Sequence, residues 1–359
     1  MILSRSPLAR FLVFLLAVTA ALSLLCASDT RPARSTFVTE AASAASGLQR
    51  WYQGPTYRSA QWWQSANALE TTIDYMQATG SRAYVANLNR TYLVFHQGDR
   101  FLDNYYDDDG WWALAWIKAY DLTGDQRYLG QARVIFETMT GGWDSTCGGG
   151  IWWSTGRTYK NAIANELFLT VAAELHNRTP GDIRYADWAR REWAWFSGTG
   201  MLTRSGLVID GLNQCKPVLG SPTWTYNQGV LIGGLIALNG ITHARRLLLT
   251  ARRVAGAVIR SPVLSPHGVL REPCEASSCD ADQTLFKGIF IGNLSQLDSR
   301  VDGAPYQDYL RRNARSVWDK DRQADEFGLS WSGPFDGSGT AEQAAALDAL
   351  TAGIRADRA

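Results

Sequence analysis

Three consecutive aspartates stand between aromatic residues in the run Asn104-Tyr105-Tyr106-Asp107-Asp108-Asp109-Gly110-Trp111-Trp112. One acid is enough to cap a helix and meet the positive end of its dipole. Three exceed that need, although capping remains the ordinary explanation for acids at a helix start. Carboxyl groups in pairs cleave acetals. One protonates the departing oxygen, while the other attacks the carbon or activates water, at about 5–5.5 Å apart in retaining glycosidases and about 6.5–9.5 Å in inverting ones. Neighbouring side chains at a helix start diverge around the axis and suit the shorter spacing, so Asp107 and Asp108 favour a retaining mechanism. Crowding of like charges raises one pKa and keeps an acid protonated near neutral pH.

Further residues of suitable type recur later in the chain. Gly148-Gly149-Gly150-Ile151-Trp152-Trp153 sets three glycines before a tryptophan pair, allowing the backbone to approach a ligand closely. The ordinary alternative is a tight turn with its tryptophans packed inward. Lys160-Asn161 and Asn165 open a later helix, and Trp224-Thr225-Tyr226-Asn227-Gln228-Gly229 opens another. The amides of Asn161, Asn227 and Gln228 and the phenol of Tyr226 offer the hydrogen bonds that sugar hydroxyls need, though such amides also serve as caps. Lys287 in Phe286-Lys287-Gly288 is a candidate polar contact, and Trp331 with Phe335-Asp336 falls in the last long loop. Trp112, Trp152 and Trp153 are candidate stacking platforms, since flat apolar faces suit sugar rings as well as cores.

The elements that must position these residues are helices. Trp112, Ala115, Trp116 and Ala119 fall at i, i+3, i+4 and i+7, and the same period recurs from Leu129 to Met139 and from Ala244 to Val258. The spacing predicts twelve helices, roughly at 35–53, 59–79, 81–97, 108–122, 125–140, 160–177, 182–198, 225–241, 243–260, 282–299, 303–319 and 340–356. Strand alternation is scarce; Gly206 to Asp210 forms at most a short hairpin arm. Turn residues mark short connections at Thr79-Gly80, Thr123-Gly124-Asp125, Thr179-Pro180-Gly181-Asp182 and Asn239-Gly240. Between them lie long connections, roughly 98–107, 141–159, 199–224, 261–281 and 320–339, and such loops are usually functional. Short and long alternate, so antiparallel helices would gather every long loop on one face. The expected fold is all-α, an (α/α)6 barrel of six helical hairpins. An open solenoid is the alternative, but the hairpins lack a fixed repeat length.

Composition narrows the function classes. The 359 residues carry 35 basic and 34 acidic side chains, a net charge of +1. That balance gives no electrostatic reason to expect a nucleic-acid partner. Fifteen tryptophans and fourteen tyrosines form the clearer excess. Arg5 and Arg10 precede an apolar run from Phe11 to Leu25 that is short for a membrane span of about 20 residues. Residues 1–27 therefore read as an export signal, 28–46 as a linker running into the first helix, and 47–359 as the functional domain, with no stable membrane span in the mature chain. Export, with either release or retention at the cell surface, places the cysteines in an oxidising compartment. Cys274 and Cys279 lie close in one loop and are the preferred pair; Cys147 with Cys215 is the other. Neither a CxxC spacing nor a cluster among His96, His176, His243 and His267 suggests zinc.

Several ordered motifs resemble glycoside hydrolase family 76, the α-1,6-mannanases. These are Asp107-Asp108 followed by Trp111-Trp112; Gly142-Trp143-Asp144 with Cys147 to Trp153; Tyr159 to Glu166; Thr225 to Gly229; and Phe286 to Gly288. The resemblance is strong over about 100–290. It implies an (α/α)6 barrel and retaining cleavage of α-1,6-linked mannan, with Asp107 as nucleophile and Asp108 as general acid/base. A one-residue slip of register would select Asp108 and Asp109 instead. Neither metal nor organic cofactor is implied, and a monomer acting on a polysaccharide or oligosaccharide is expected. Related fungal cell-wall proteins look like transglycosylases, which makes transfer to a sugar acceptor a rival to hydrolysis. Fold alone also admits an unsaturated uronyl hydrolase or a polysaccharide lyase. A noncatalytic glycan-binding toroid would need the aromatic residues but not the aspartates.

Overall fold

The computed structural model describes residues 36–358. The expected export segment, Cys26 within it and the linker as far as residue 35 lie outside the described residues. In chain order the helices are α1 (Thr36–Gln49), α2 (Trp62–Thr79), α3 (Val85–Phe95), α4 (Tyr106–Thr123), α5 (Gln126–Thr140), α6 (Ala162–Arg178), α7 (Ile183–Phe196), α8 (Thr225–Thr242), α9 (Arg245–Ile259), α10 (Phe286–Asp298), α11 (Gln307–Lys320) and α12 (Thr340–Ala356). Each matches one segment expected from periodicity, with ends displaced by a few residues. Asn239-Gly240 does not stop α8. Gly240 packs against the Asn177 side chain, and the helix runs on to His243, which caps it in a left-handed conformation (φ 52°).

The even-numbered helices form a closed inner ring. α2 packs on α4, α4 on α6, α6 on α8, α8 on α10, α10 on α12, and α12 returns to α2. Behind them, α5 packs on α4, α7 on α6, α9 on α8, and both α1 and α11 on α12. α3 reaches α4 through an edge contact of Tyr92 with Trp116, centroids 5.6 Å apart. The result is the (α/α)6 barrel. Position in the ring explains composition. Outer helices bury one stripe, as α9 does with Leu247, Ala251, Val254, Ala255 and Val258. Inner helices are covered on nearly every side and need small residues for close approach. A Cβ on Gly229 would stand 2.6 Å from the Phe290 Cα, and one on Gly288 2.6 Å from the Ala345 Cα.

Short connections turn each inner helix into the outer helix that follows it. Gly80 and Gly124 take left-handed conformations after α2 and α4 (φ 74° and 75°). Asp125 and Asp182 cap α5 and α7 by accepting the Arg127 and Arg184 amides at 3.0 and 3.2 Å. The long connections, residues 50–61, 96–105, 141–161, 197–224, 260–285 and 321–339, all lead into the N-termini of inner helices. The inner helices therefore run parallel, with their N-terminal ends and the long loops on one face.

Two disulfides brace those loops. Cys147–Cys215 joins the connection before α6 to the one before α8, and Cys274–Cys279 closes a small loop before α10. A short sheet braces the same pair of connections: β1 (Lys160–Asn161) pairs antiparallel with β2 (Gly211–Asn213), which pairs with β3 (Lys216–Pro217). The strand thus begins just past the expected arm at 206–210, where only Leu202 and Val208 form an isolated bridge. A second two-stranded ribbon, β4 (Arg322–Gln323) with β5 (Glu326–Phe327), lies before α12. Among the described residues no helix is long and apolar enough to cross a membrane.

Ring closure predicts an asymmetry between glycines. Gly288→Ala should destabilise by about 1–3 kcal/mol, because the added methyl must push the α12 backbone away. Gly130→Ala, in outer α5 with nothing within 4 Å of the new methyl, should stabilise by up to about 1 kcal/mol. Urea unfolding of the two variants checks the signs; equal effects would contradict the close inner packing.

Candidate active site

The N-terminal face of the inner ring holds a cleft of about 470 Å³. α4 brings Asp107, Asp108 and Trp111 to it, with Tyr105 from the residue before the helix. Trp153, Tyr159, Asn161 and Asp210 come from the connections joined by the β1–β2 sheet. The start of α2 contributes Trp63, with Gln61 just before it; the start of α8 gives Trp224 and Tyr226, and the approach to α10 Asp280, Asp282 and Gln283, with Phe286 as its first residue. Aromatic rings thus form much of the wall, with Tyr226 stacked on Phe286 at 3.8 Å and 6° between planes.

Asp107 and Asp108 both face this cleft, whereas Asp109 turns inward. Asp109 is 1 % exposed, and its Oδ1 accepts the Asp103 amide at 3.0 Å, closing the loop before α4. The alternative register, Asp108 with Asp109, would therefore place one of its two carboxyls outside the cleft. The Trp153 indole N–H donates to Asp107 Oδ2 at 3.0 Å, which leaves Oδ1 without a protein partner among the described residues. Burial is the main cause that raises both carboxyls. Asp107 is pushed up to about 7, the Trp153 N–H and backbone amides opposing the rise. Asp108 is pushed up to about 10, because burial is joined by the charges of Asp107 and Asp103. Geometry favours one order: the Trp153 N–H stabilises charge on Asp107, and that charge opposes a second one on Asp108.

Two other carboxylates are held in the walls. The Tyr159 hydroxyl donates to Asp210 Oδ2 at 2.8 Å, and the Asn227 amide reaches Asp210 Oδ1 at 3.4 Å. The Trp63 indole N–H donates to Asp282 Oδ1 at 3.0 Å. No Lys, Arg or His lines the cleft among the described residues. A uronate-cleaving lyase or hydrolase needs cations to hold the substrate carboxylate, so this lining opposes that reading. Among the described residues no group of three His, Cys, Asp or Glu side chains is placed to hold a metal ion.

Of the residues expected from sequence, the cleft gathers Asp107, Asp108, Trp153, Asn161 and Tyr226. Five others lie elsewhere. Trp112 is 0 % exposed in an aromatic cluster with Trp62, Phe101 and Trp116, centroids 4.6, 4.9 and 5.9 Å away. Trp152 turns its indole N–H to Asp144 at 2.7 Å, under the Lys160 ammonium. Gln228 is fully buried and clamps the Val208 backbone through both amide atoms, at 2.8 and 3.1 Å. Asn227 is fully buried behind the wall and reaches the cleft only through Asp210. Lys287 is fully buried, paired with Glu275 at 2.7 Å and bonded to the Leu329 carbonyl beneath the Trp331 ring. Trp331 is likewise core. The glycine run also serves packing: a Cβ on Gly150 would fall 2.3 Å from the Trp195 ring, and Lys160 Nζ binds the Gly149 and Gly150 carbonyls at 2.7 and 2.9 Å.

Sequence reasoning passed over Trp63, Tyr105, Tyr159, Asp210, Asp280, Asp282 and Gln283 as site residues. Trp63 is the second residue of α2, directly after a long connection, and its place on the long-loop face is a signal that could have exposed it. Asp210, Asp280 and Asp282 sit in irregular loops, where spacing says nothing about direction.

Comparison with known proteins agrees with this architecture. The sequence profile "Glycosyl hydrolase family 76" matches residues 36–359. The mannan endo-1,6-alpha-mannosidase DCW1 of Candida albicans is 30 % identical over 68 % of this chain, a match that spans only 62 % of that protein's length. DCW1 of Saccharomyces cerevisiae is 28 % identical over 85 % of this chain and 76 % of its own. Among solved structures, an inactive variant of the α-1,6-mannanase GH76A of Salegentibacter sp. HEL1_6, with two consecutive aspartates replaced by asparagine and α-1,6-mannotriose bound, superposes with a TM-score of 0.81. It is 24 % identical, and the match covers 89 % of this chain and 99 % of that one. Six inner helices presenting two adjacent aspartates to an aromatic cleft, with a profile match along the whole described chain, make this protein a member of glycosyl hydrolase family 76.

Proposed function

We propose that this chain is a secreted, retaining glycosidase that cleaves internal α-1,6-mannosidic bonds in mannan backbones and acts as a monomer. One observation carries the reading: adjacent carboxyl groups, Asp107 and Asp108, border the same sugar-sized cleft, and the Trp153 N–H favours charge on Asp107. The names of the fungal relatives and the mannotriose bound to the Salegentibacter enzyme supply the sugar and linkage. Two disulfides and the apolar N-terminal run support export.

In this reading, Asp107 is the nucleophile. Its Oδ2 is held by the Trp153 N–H, so Oδ1 forms the bond to the anomeric carbon. As the C1–O6 bond breaks, Asp108 gives its proton to the departing oxygen, leaving a mannosyl ester on Asp107 and a carboxylate on Asp108. Asp108 then removes a proton from water, whose oxygen displaces Asp107 from C1. Both inversions together retain configuration. Trp153, Asn161 and Tyr226, with Trp63, Tyr159, Asp210 and Trp224, contact the sugar rings by stacking and hydrogen bonding.

Asp107→Asn and Asp108→Asn should each lower kcat on linear α-1,6-mannan by roughly 10²–10⁴-fold, while melting temperatures hold or rise as a buried carboxylate is removed. NMR of the first product should show retained configuration. Inversion, or cleavage that survives both substitutions, would contradict the assignment; long products with few new reducing ends would favour transfer over hydrolysis. The pH profile of kcat/KM should be bell-shaped. Activity falls below about 7 as Asp107 is protonated and falls again well into the alkaline range as Asp108 loses its proton. A flat profile from pH 5 to 9 would contradict the proton order.

A further inference from the structure

The cleft carries negative charge that the cleavage chemistry does not use. Asp210, Asp280 and Asp282 line it beside the reacting pair, and no basic side chain offsets them there among the described residues. The whole sequence is nearly balanced, with 35 basic and 34 acidic residues, so the imbalance belongs to this surface. The lysines behind the walls are occupied: Lys160 by Asp144 at 2.9 Å, and Lys287 by Glu275 at 2.7 Å. Inner-helix N-termini oppose the carboxylates with partial positive charge, about half a unit each. At α6 and α8 that charge is already met, by the Asn161 side chain on the Ala164 amide and by Glu272 on the Thr225 amide, each at 3.3 Å. The full charges outweigh what remains.

Asp280 and Asp282 are also fixed in place. Asp280 Oδ1 accepts the amides of Asp282 and Gln283 at 3.0 and 3.2 Å, and its Oδ2 accepts the Gln283 side chain at 2.6 Å. Asp282 is held by Trp63, and the Cys274–Cys279 bridge closes the loop immediately before the pair. These carboxylates are not free to swing away from an incoming anion. The low dielectric of the aromatic walls concentrates their field inside the cleft.

We infer that Asp280 and Asp282 are specificity-determining residues that bar phosphate- or carboxylate-bearing glycans from the cleft while admitting neutral and amine-bearing ones. This rests on the mannan reading and adds a substituent rule to it. A phosphate monoester carries about −1.5 to −2 charge at neutral pH, and its repulsion is screened within about 8 Å at physiological salt.

The test uses the full chain carrying Asp107→Asn and Asp108→Asn, so that binding is read without cleavage. Its probes are an α-1,6-mannotetraose and the same oligosaccharide with one phosphate monoester, titrated calorimetrically at about 20 mM and 500 mM salt. The phosphorylated sugar should bind at least about tenfold more weakly at low salt, and high salt should narrow the gap. Adding Asp280→Asn and Asp282→Asn should narrow it at low salt, the ratio within each variant serving as its own control. Equal binding of the two sugars, or a gap indifferent to both salt and substitution, overturns the inference and leaves the mannan reading standing. No binding of the neutral sugar overturns that reading, and the inference with it.

Discussion

Two carboxyl groups on consecutive residues, partly withdrawn from water, cannot both carry charge at neutral pH without a cation beside them. The start of α4 is built on that constraint. Among the described residues no lysine or arginine lines the cleft to neutralise the pair, and the Trp153 indole donates to Asp107. The donor lowers the cost of charge on one aspartate, and that charge raises the cost on the next. Both carboxyls are raised, and Asp108 is raised further than Asp107. An amide or ammonium donor on Asp108 would erase the difference.

The rest of the molecule keeps this arrangement rigid and open. Six parallel inner helices put their N-termini on one face, so residues distant in sequence share one cleft. Close contacts at Gly229 and Gly288 fix the helices at backbone distance, and the Cys147–Cys215 bridge with the β1–β2–β3 sheet ties together the two connections that supply Trp153 and Asp210. Many of the buried polar groups behind the walls, such as Gln228 on Val208 and Lys287 on Glu275, hold loops rather than ligand.

Much of this was legible in the residues. Apolar spacing predicts each helix, and the alternation of short and long connections predicts both the closed ring and the face that carries the cleft. The aspartate pair stands out by type and position. Rotation about each helix was not legible. Successive residues on a helix point about 100° apart, so Trp111 lines the cleft while Trp112 enters the aromatic cluster with Trp116. The same ambiguity separates Tyr226, in the wall, from Asn227 and Gln228 behind it. Amides and lysines at helix starts look alike whether they meet a sugar or a backbone carbonyl, and only tertiary packing distinguishes them. Asp210, Asp280 and Asp282 were hidden for another reason: irregular loops carry no period that reports direction.

The central claim is that Asp107 and Asp108 share one proton near neutral pH. Carboxyl-carbon NMR titration of aspartate-labelled protein tests it directly, with Asp107→Asn and Asp108→Asn identifying the two signals. The account predicts one step near neutrality from Asp107 and a second, much higher, from Asp108, the latter falling markedly once Asp107 is made neutral. Two independent steps near the ordinary aspartate value of about 4, unmoved by either substitution, would contradict it.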